Sequence, residues 1–196
     1  MKRRMILFAA LCVLLTSCAA RDRQEDTRAE ALQGRYAELA GCAARVTEEL
    51  PRGEETLRYV LDVERGAEET RVTVSEPAEL SGVTATVRRK DGTLRLEFDG
   101  TVLDAGSANP KVSALNAVDL VLRAAAEGYI TERSTERFED AEALRLCFET
   151  EYEGETLFCT AFFDAGDAPL YAELEQNGEI LAYLEFTSFS FYDTIS

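Results

Sequence analysis

Val83-Thr84-Ala85-Thr86-Val87-Arg88-Arg89-Lys90-Asp91-Gly92-Thr93-Leu94-Arg95-Leu96-Glu97-Phe98 decides the fold. Apolar and polar residues alternate on both sides of Asp91-Gly92, so each arm is a strand with one face dry and one wet. An Asp-Gly pair tolerates positive φ at both turn positions and is the strongest short-range signal for a tight hairpin. The stretch is therefore an antiparallel hairpin, and the chain around it repeats the same pattern.

Upstream, Leu57, Tyr59, Leu61 and Val63 alternate with Arg58, Asp62 and Glu64, and Val72 and Val74 alternate with Arg71 and Thr73. Turn residues Arg65-Gly66-Ala67 separate these two runs, and Pro77 with Ser81-Gly82 interrupts the ladder before Val83. Downstream, strands are expected over Ala143–Tyr152, Thr156–Phe163, Leu170–Gln176 and Glu179–Phe191, with turns at Glu153-Gly154 and Asn177-Gly178.

Two helices break this meander. A capping box, Thr27-Arg28-Ala29-Glu30, predicts a helix start. The spacing of Leu32, Tyr36, Leu39, Ala43, Val46 and Leu50 would by itself carry that helix to Pro51. Gly34 and Gly41 weaken it, and Gly41 suits a left-handed C-terminal cap, so the reading favoured is a helix ending near Gly41 and a strand over Ala43–Leu50. The second helix follows the loop Ala105-Gly106-Ser107-Ala108 and the cap Asn109-Pro110, running from Lys111 to Glu127 and closed by Gly128. It is apolar around most of its circumference, which implies burial on more than one side. The fold class is thus α+β: a large curved antiparallel sheet, an incomplete β-barrel of about ten strands, with an N-terminal helix and an apolar lid helix.

The N-terminus supplies the location. Lys2-Arg3-Arg4, an apolar run from Met5 to Leu15 and the small pair Thr16-Ser17 form the three-part plan of a secretory signal. That run is about half the roughly 20 apolar residues a transmembrane helix needs. Leu15-Thr16-Ser17-Cys18 resembles the lipobox of bacterial lipoproteins, which implies cleavage after residue 17 and a diacylglyceryl thioether on Cys18. Two acyl chains would hold the protein firmly at the outer, extracytoplasmic face of a cell membrane. The organisation expected is a signal peptide over 1–17, a lipidated cysteine and solvated tether over 18–29, and one domain over 30–196.

Composition excludes several classes. The chain carries 21 Lys/Arg against 37 Asp/Glu, a formal charge of −16. Residues 1–17 contain three of the bases and no acid, so the processed chain stands at −19. Such a surface repels nucleic acid, and adhesion to a membrane must come from the acyl anchor. The absence of histidine excludes Ser-His-Asp and Cys-His catalysis and any histidine-ligated metal. No metal site and no cofactor are expected.

Three further cysteines are Cys42, Cys147 and Cys159. A three-residue turn at Tyr152-Glu153-Gly154 would set Cys147 opposite Cys159 and allow a disulfide, whereas a two-residue turn puts them on opposite faces. Both registers fit the sequence. Glu149, Glu151, Glu153 and Glu155 line one hairpin; paired carboxylates can hydrolyse glycosides, but alternation with Phe148, Thr150 and Tyr152 is also the pattern of a solvated strand face. The aromatic residues Phe158, Phe162, Phe163, Tyr183, Phe186, Phe189, Phe191 and Tyr192 gather in the last strands, as core residues or as cavity lining.

The order helix, β-meander, apolar helix, β-meander behind a lipobox resembles the LolA/LolB family of lipoprotein carriers, and more closely the GerS-type germination lipoproteins of spore-forming bacteria. The stretch most alike runs from Asp164 to Pro169 through Leu170-Tyr171-Ala172-Glu173-Leu174, Asn177-Gly178 and Ala182-Tyr183-Leu184-Glu185-Phe186 to Phe189-Ser190-Phe191. The resemblance implies a half-barrel closed by a helical lid over an apolar cavity that receives acyl chains, or, in the germination case, support of a peptidoglycan-modifying enzyme through protein contact. No residue matches the carrier family's cavity arginine. Leu57, Tyr59, Leu61, Leu94, Leu96, Phe98, Leu115, Val118 and Leu122 share one face of their elements and form the expected cavity lining. The function expected is that of a non-enzymatic, membrane-anchored lipoprotein that binds an acyl chain or other hydrophobic ligand in a half-barrel, or supports an envelope or spore-cortex enzyme. The alternatives are a protein-binding scaffold with a filled core and an envelope glycan hydrolase. Expected partners are the membrane through Cys18, an acyl lipid or an envelope protein, and a homodimer is allowed for.

Overall fold

The computed structural model describes residues 23–88, 90, 93–107 and 112–192, with only the backbone over 103–107. The signal peptide, Cys18, Asp91-Gly92 and Asn109-Pro110 lie outside the described residues. Helix α1 spans 23–37. The strands β1 (Cys42–Arg52), β2 (Glu55–Arg65), β3 (Glu69–Glu76), β4 (Thr84–Arg88), β5 (Thr93–Phe98) and β6 (Thr101–Ser107) follow, then helix α2 (Ala117–Glu127). A second series completes the chain: β7 (Tyr129–Phe138), β8 (Ala141–Tyr152), β9 (Glu155–Phe163), β10 (Pro169–Gln176) and β11 (Glu179–Phe191).

All eleven strands form one antiparallel sheet in the order β6-β5-β4-β3-β2-β1-β11-β10-β9-β8-β7. Each half is a plain meander, and the long-range pairing of β1 with β11 joins them. The sheet stays open between β6 and β7 and does not close into a barrel. Asn177-Gly178 and Glu153-Gly154 form two-residue hairpin turns, every one of the four residues at positive φ.

Both helices lie on the inner face. Leu32 and Tyr36 of α1 are buried there. The Tyr36 ring packs edge-on against Phe163 at 5.7 Å and Phe191 at 5.8 Å, and its Oη donates to the Asp167 carbonyl at 2.8 Å. Helix α2 packs against β8, β9 and β10 and buries Ala117, Val118, Leu120, Val121, Leu122, Ala124 and Ala125, most of its circumference. The continuous core therefore sits between the helices and the C-terminal half of the sheet.

Several expectations change. Eleven strands form where about ten were expected, and two of them lie outside the runs read as strands: β7 has no apolar alternation through its middle, and β6 contains the Ala105-Gly106-Ser107 stretch read as loop. Residues 23–29, read as tether, are helical with Ala29 buried, and Thr27 Oγ1 donates to the Arg23 carbonyl inside the helix instead of capping its start. Helix α2 begins at Ala117, not Lys111, because Ser113 and Asn116 close a turn of their own: Ser113 N donates to Asn116 Oδ1 and Ala117 N to the Ser113 carbonyl. Neither glycine is a left-handed cap. Gly128 has φ −66°, and a Cβ there would lie 3.0 Å from the Phe148 Cβ and 2.5 Å from the Ala124 carbonyl oxygen. A Cβ on Gly41 would lie 2.6 Å from the Arg65 carbonyl oxygen, so both glycines permit close approach.

Candidate functional site

Strand register places Leu57, Tyr59, Leu61, Leu94 and Leu96 of the expected lining on one face. Leu61 lies opposite Val46 and Val74, Tyr59 opposite Glu48, and Leu57 opposite Leu50. Leu94 lies opposite Val87 and Leu96 opposite Ala85. The nine residues nonetheless fall into three groups. Leu61, Leu94, Val118 and Leu122 are buried, closed into the core rather than facing an opening. Tyr59, Leu96 and Leu115 are half-buried, and Leu57 is 41% exposed. Phe98, 51% exposed at the end of β5, borders a cleft on the other side of the sheet. Leu115 precedes α2, in a segment tied to the end of β1 by Arg52 Nη2, which donates to the Val112 carbonyl at 3.0 Å.

The inner face holds two polar groups that the sequence reading passed over. Glu48 is fully buried between Val46 and Leu50, and neither carboxyl oxygen has a hydrogen-bond partner. Burial pushes its carboxyl up to about 8, against the opposing pull of Arg52, so it is a neutral acid at pH 7. Arg65 is likewise buried, 3.2 Å from Asp119 of α2, and Thr70 Oγ1 donates to the same Asp119 oxygen at 3.1 Å. These contacts tie α2 to β2 and β3. Alternation would have found both residues, since Glu48 is in phase with Val46 and Leu50, and Arg65 with Leu61 and Val63.

The outer face carries a cleft of about 640 Å³ over β2–β5, lined by Asp62, Glu64, Arg71, Thr73, Thr84, Thr86, Arg88, Arg95 and Glu97, among others. Its lining is hydroxyls and charges of both signs, suited to a polar ligand and unsuited to an acyl chain. Further along that face, Phe138, Phe162 and Tyr171 form an aromatic cluster with centroids 5.0–6.3 Å apart.

The cysteine register is settled by the two-residue turn. Cys147 lies opposite Thr160 with its sulfur 3.5 Å from that hydroxyl, while Cys159 lies opposite Phe148 in the core. The two sulfurs are on opposite faces, so no disulfide joins them, and all three described cysteines are free. Burial raises the Cys42 thiol to about 11, with Arg65 opposing. It is therefore no thiolate nucleophile at neutral pH. Glu149, Glu151, Glu153 and Glu155 are all exposed along their hairpin. Among the described residues, no group of three or more His, Cys, Asp or Glu could hold a metal ion, and no helix is long and apolar enough to cross a membrane.

The class is an open, helix-covered antiparallel half-barrel. The chain is similar to a DUF1329 family protein from Desulfovibrio piger at 9% identity and a TM-score of 0.50, covering 86% of this chain and 92% of that one. It is similar to a LolA superfamily protein from Nitrosomonas europaea at 12% identity and 0.47, covering 87% and 94%. It is also similar to the Mycobacterium tuberculosis lipoprotein LppX at 12% and 0.44, covering 86% and 97%. These are likenesses of fold. No family model matches the chain, and no curated protein matches it.

Proposed function

We propose that the chain is an exported lipoprotein, anchored through Cys18 at the outer face of a cell membrane, whose inner sheet face takes up an acyl chain. The observation that carries this reading is that Leu57, Tyr59 and Leu96 on that face stay partly accessible, while α2 closes the core over the other half of the sheet. An apolar surface with a few buried polar groups is the usual make-up of a lipid or small-molecule site. Leu61 and Leu94 are the buried neighbours of this surface on the same strands.

Residues 22–196, produced without signal or Cys18 and kept free of detergent, test it by mass spectrometry of co-purifying lipids. Stoichiometric acyl lipid is the expected result. A folded domain that emerges empty rejects the acyl site.

That empty outcome belongs to a second reading, favoured by the complete burial of Leu122 and the near-complete burial of Val118. In it the protein is an anchored scaffold with a filled core that holds an envelope enzyme by protein contact. The germination role implied by the closing strands is a special case of this reading and rests on the sequence resemblance alone.

A further inference from the structure

Glu48 stands where the pattern calls for an apolar side chain. On β1 the inward row is Cys42, Ala44, Val46, Glu48 and Leu50; across the sheet Glu48 faces Tyr59 on β2 and Leu184 on β11. It is completely buried, and both of its oxygens lack a partner. The nearest cationic influence is Arg52, whose guanidinium is engaged with the carbonyls of Val112 and Pro51. A buried polar group left unmatched opposes folding, so the packing of the free protein does not account for this acid. The accessible apolar strip begins at its cross-strand neighbour, Tyr59, and continues to Leu57.

We propose that Glu48 is the polar anchor of the acyl site, where its carboxyl hydrogen-bonds the uncharged carbonyl of an acyl amide or ester whose chain lies against Tyr59 and Leu57. The proposal rests on the acyl-site reading above and adds the chemical class of the ligand's head. A carboxylic acid offers one O–H donor and one carbonyl acceptor. The O–H is donated to the ligand carbonyl, and in an amide the ligand N–H is donated back to the Glu48 carbonyl oxygen. A fatty-acid carboxylate would have to bring its charge out of water into this desolvated site and is discriminated against; an alkane gives the acid nothing to bond.

The probes are decanamide, methyl decanoate, decanoate and decane, titrated into the purified full chain and into Glu48→Leu and Glu48→Gln variants. The expected result is a preference of about tenfold for the amide and ester over decane. Glu48→Leu removes that preference and leaves the decane affinity in place, while Glu48→Gln keeps part of it. Glu48→Leu is expected to fold and to melt higher than the parent, because it removes an unmatched buried group. In the infrared, the carbonyl band of the protonated carboxyl shifts on adding decanamide and is missing from Glu48→Gln. A preference that survives Glu48→Leu, or a band that does not move, overturns the anchor while leaving the acyl site standing. If no probe binds the parent protein, decane included, the acyl site itself fails.

Discussion

The two halves of the sheet are built from the same alternation and end in different states. In the C-terminal half, Leu144, Leu146, Phe148, Leu157, Cys159, Ala161 and Phe163 have no exposed surface at all. In the N-terminal half, Leu57 is 41% exposed and Tyr59 and Leu96 are only partly covered. The difference lies outside the strands. Helix α2 packs on β8, β9 and β10, and α1 sets Tyr36 on Phe163 and Phe191, so cover is concentrated on one half. What a strand's apolar face does, whether it closes a core or receives a ligand, is thus decided by where the helices land.

The largest effect should come from Phe148→Ala in the closed half, a loss of about 3–5 kcal/mol, measured by chemical denaturation. If Phe148→Ala costs no more than Leu57→Ala, the two halves are equally covered and the contrast is wrong. Next, Asp119→Ala cuts the tie between α2 and the open half and leaves Arg65 buried without its partner. Breaking a buried pair costs about 3–5 kcal/mol, and since Asp119 is itself about a third exposed, about 2 kcal/mol is expected. A neutral result would mean that α2 is held by the closed half alone.

Glu48 supplies a pH dependence. Below about 4.5 the acid is protonated in both the folded and unfolded states and contributes no slope. Between there and about 8 the unfolded chain has lost the proton that the folded protein keeps, so stability falls as pH rises. The slope is at most about 1.4 kcal/mol per pH unit. Above about 8 both states are ionised and the full penalty remains. Denaturation of the parent and of Glu48→Gln across pH 4.5–8 should show the gap between them widening; parallel curves would mean that Glu48 ionises normally. Smallest of all, Leu57→Ala should cost less than about 1 kcal/mol, since so much of the side chain is already in water. A larger loss would place Leu57 in the core and leave the open half without its accessible strip.

The hairpins, the antiparallel sheet and the many-sided burial of α2 were legible because each follows from local alternation or turn chemistry. At Asn177-Gly178 the positive φ at both positions is what an Asn-Gly pair is suited to. Strand β7 was not legible: Thr131, Glu132, Arg133 and Ser134 give it no apolar period, and its place comes from pairing with β8. The Cys147–Cys159 register turned on one residue of turn length, a choice both readings of the sequence allowed. For the site, periodicity assigned the strand faces correctly, but it carries no information about which half the helices cover. Val118 and Leu122 were therefore placed at a cavity that the packing fills. Glu48 was readable as an inward position and was overlooked because charged residues are expected in water, whereas Arg65 was read into the turn at Gly66 although β2 carries it as its last residue.

Because the sheet stays open, β6 and β7 pair on one side only among the described residues. A strand edge of this kind invites addition of another chain, a hazard that grows with concentration. The two edges carry different deterrents. Strand β7 alternates Glu132, Arg133, Glu136 and Arg137 and is bulged between Ile130 and Glu132, while β6 is only seven residues long. A docking strand at β7 would have to bring matching charges in register and follow the bulge. Strand addition at the β7 edge is accordingly disfavoured even at high concentration, and the shorter edge is where engineered lengthening would first produce fibres.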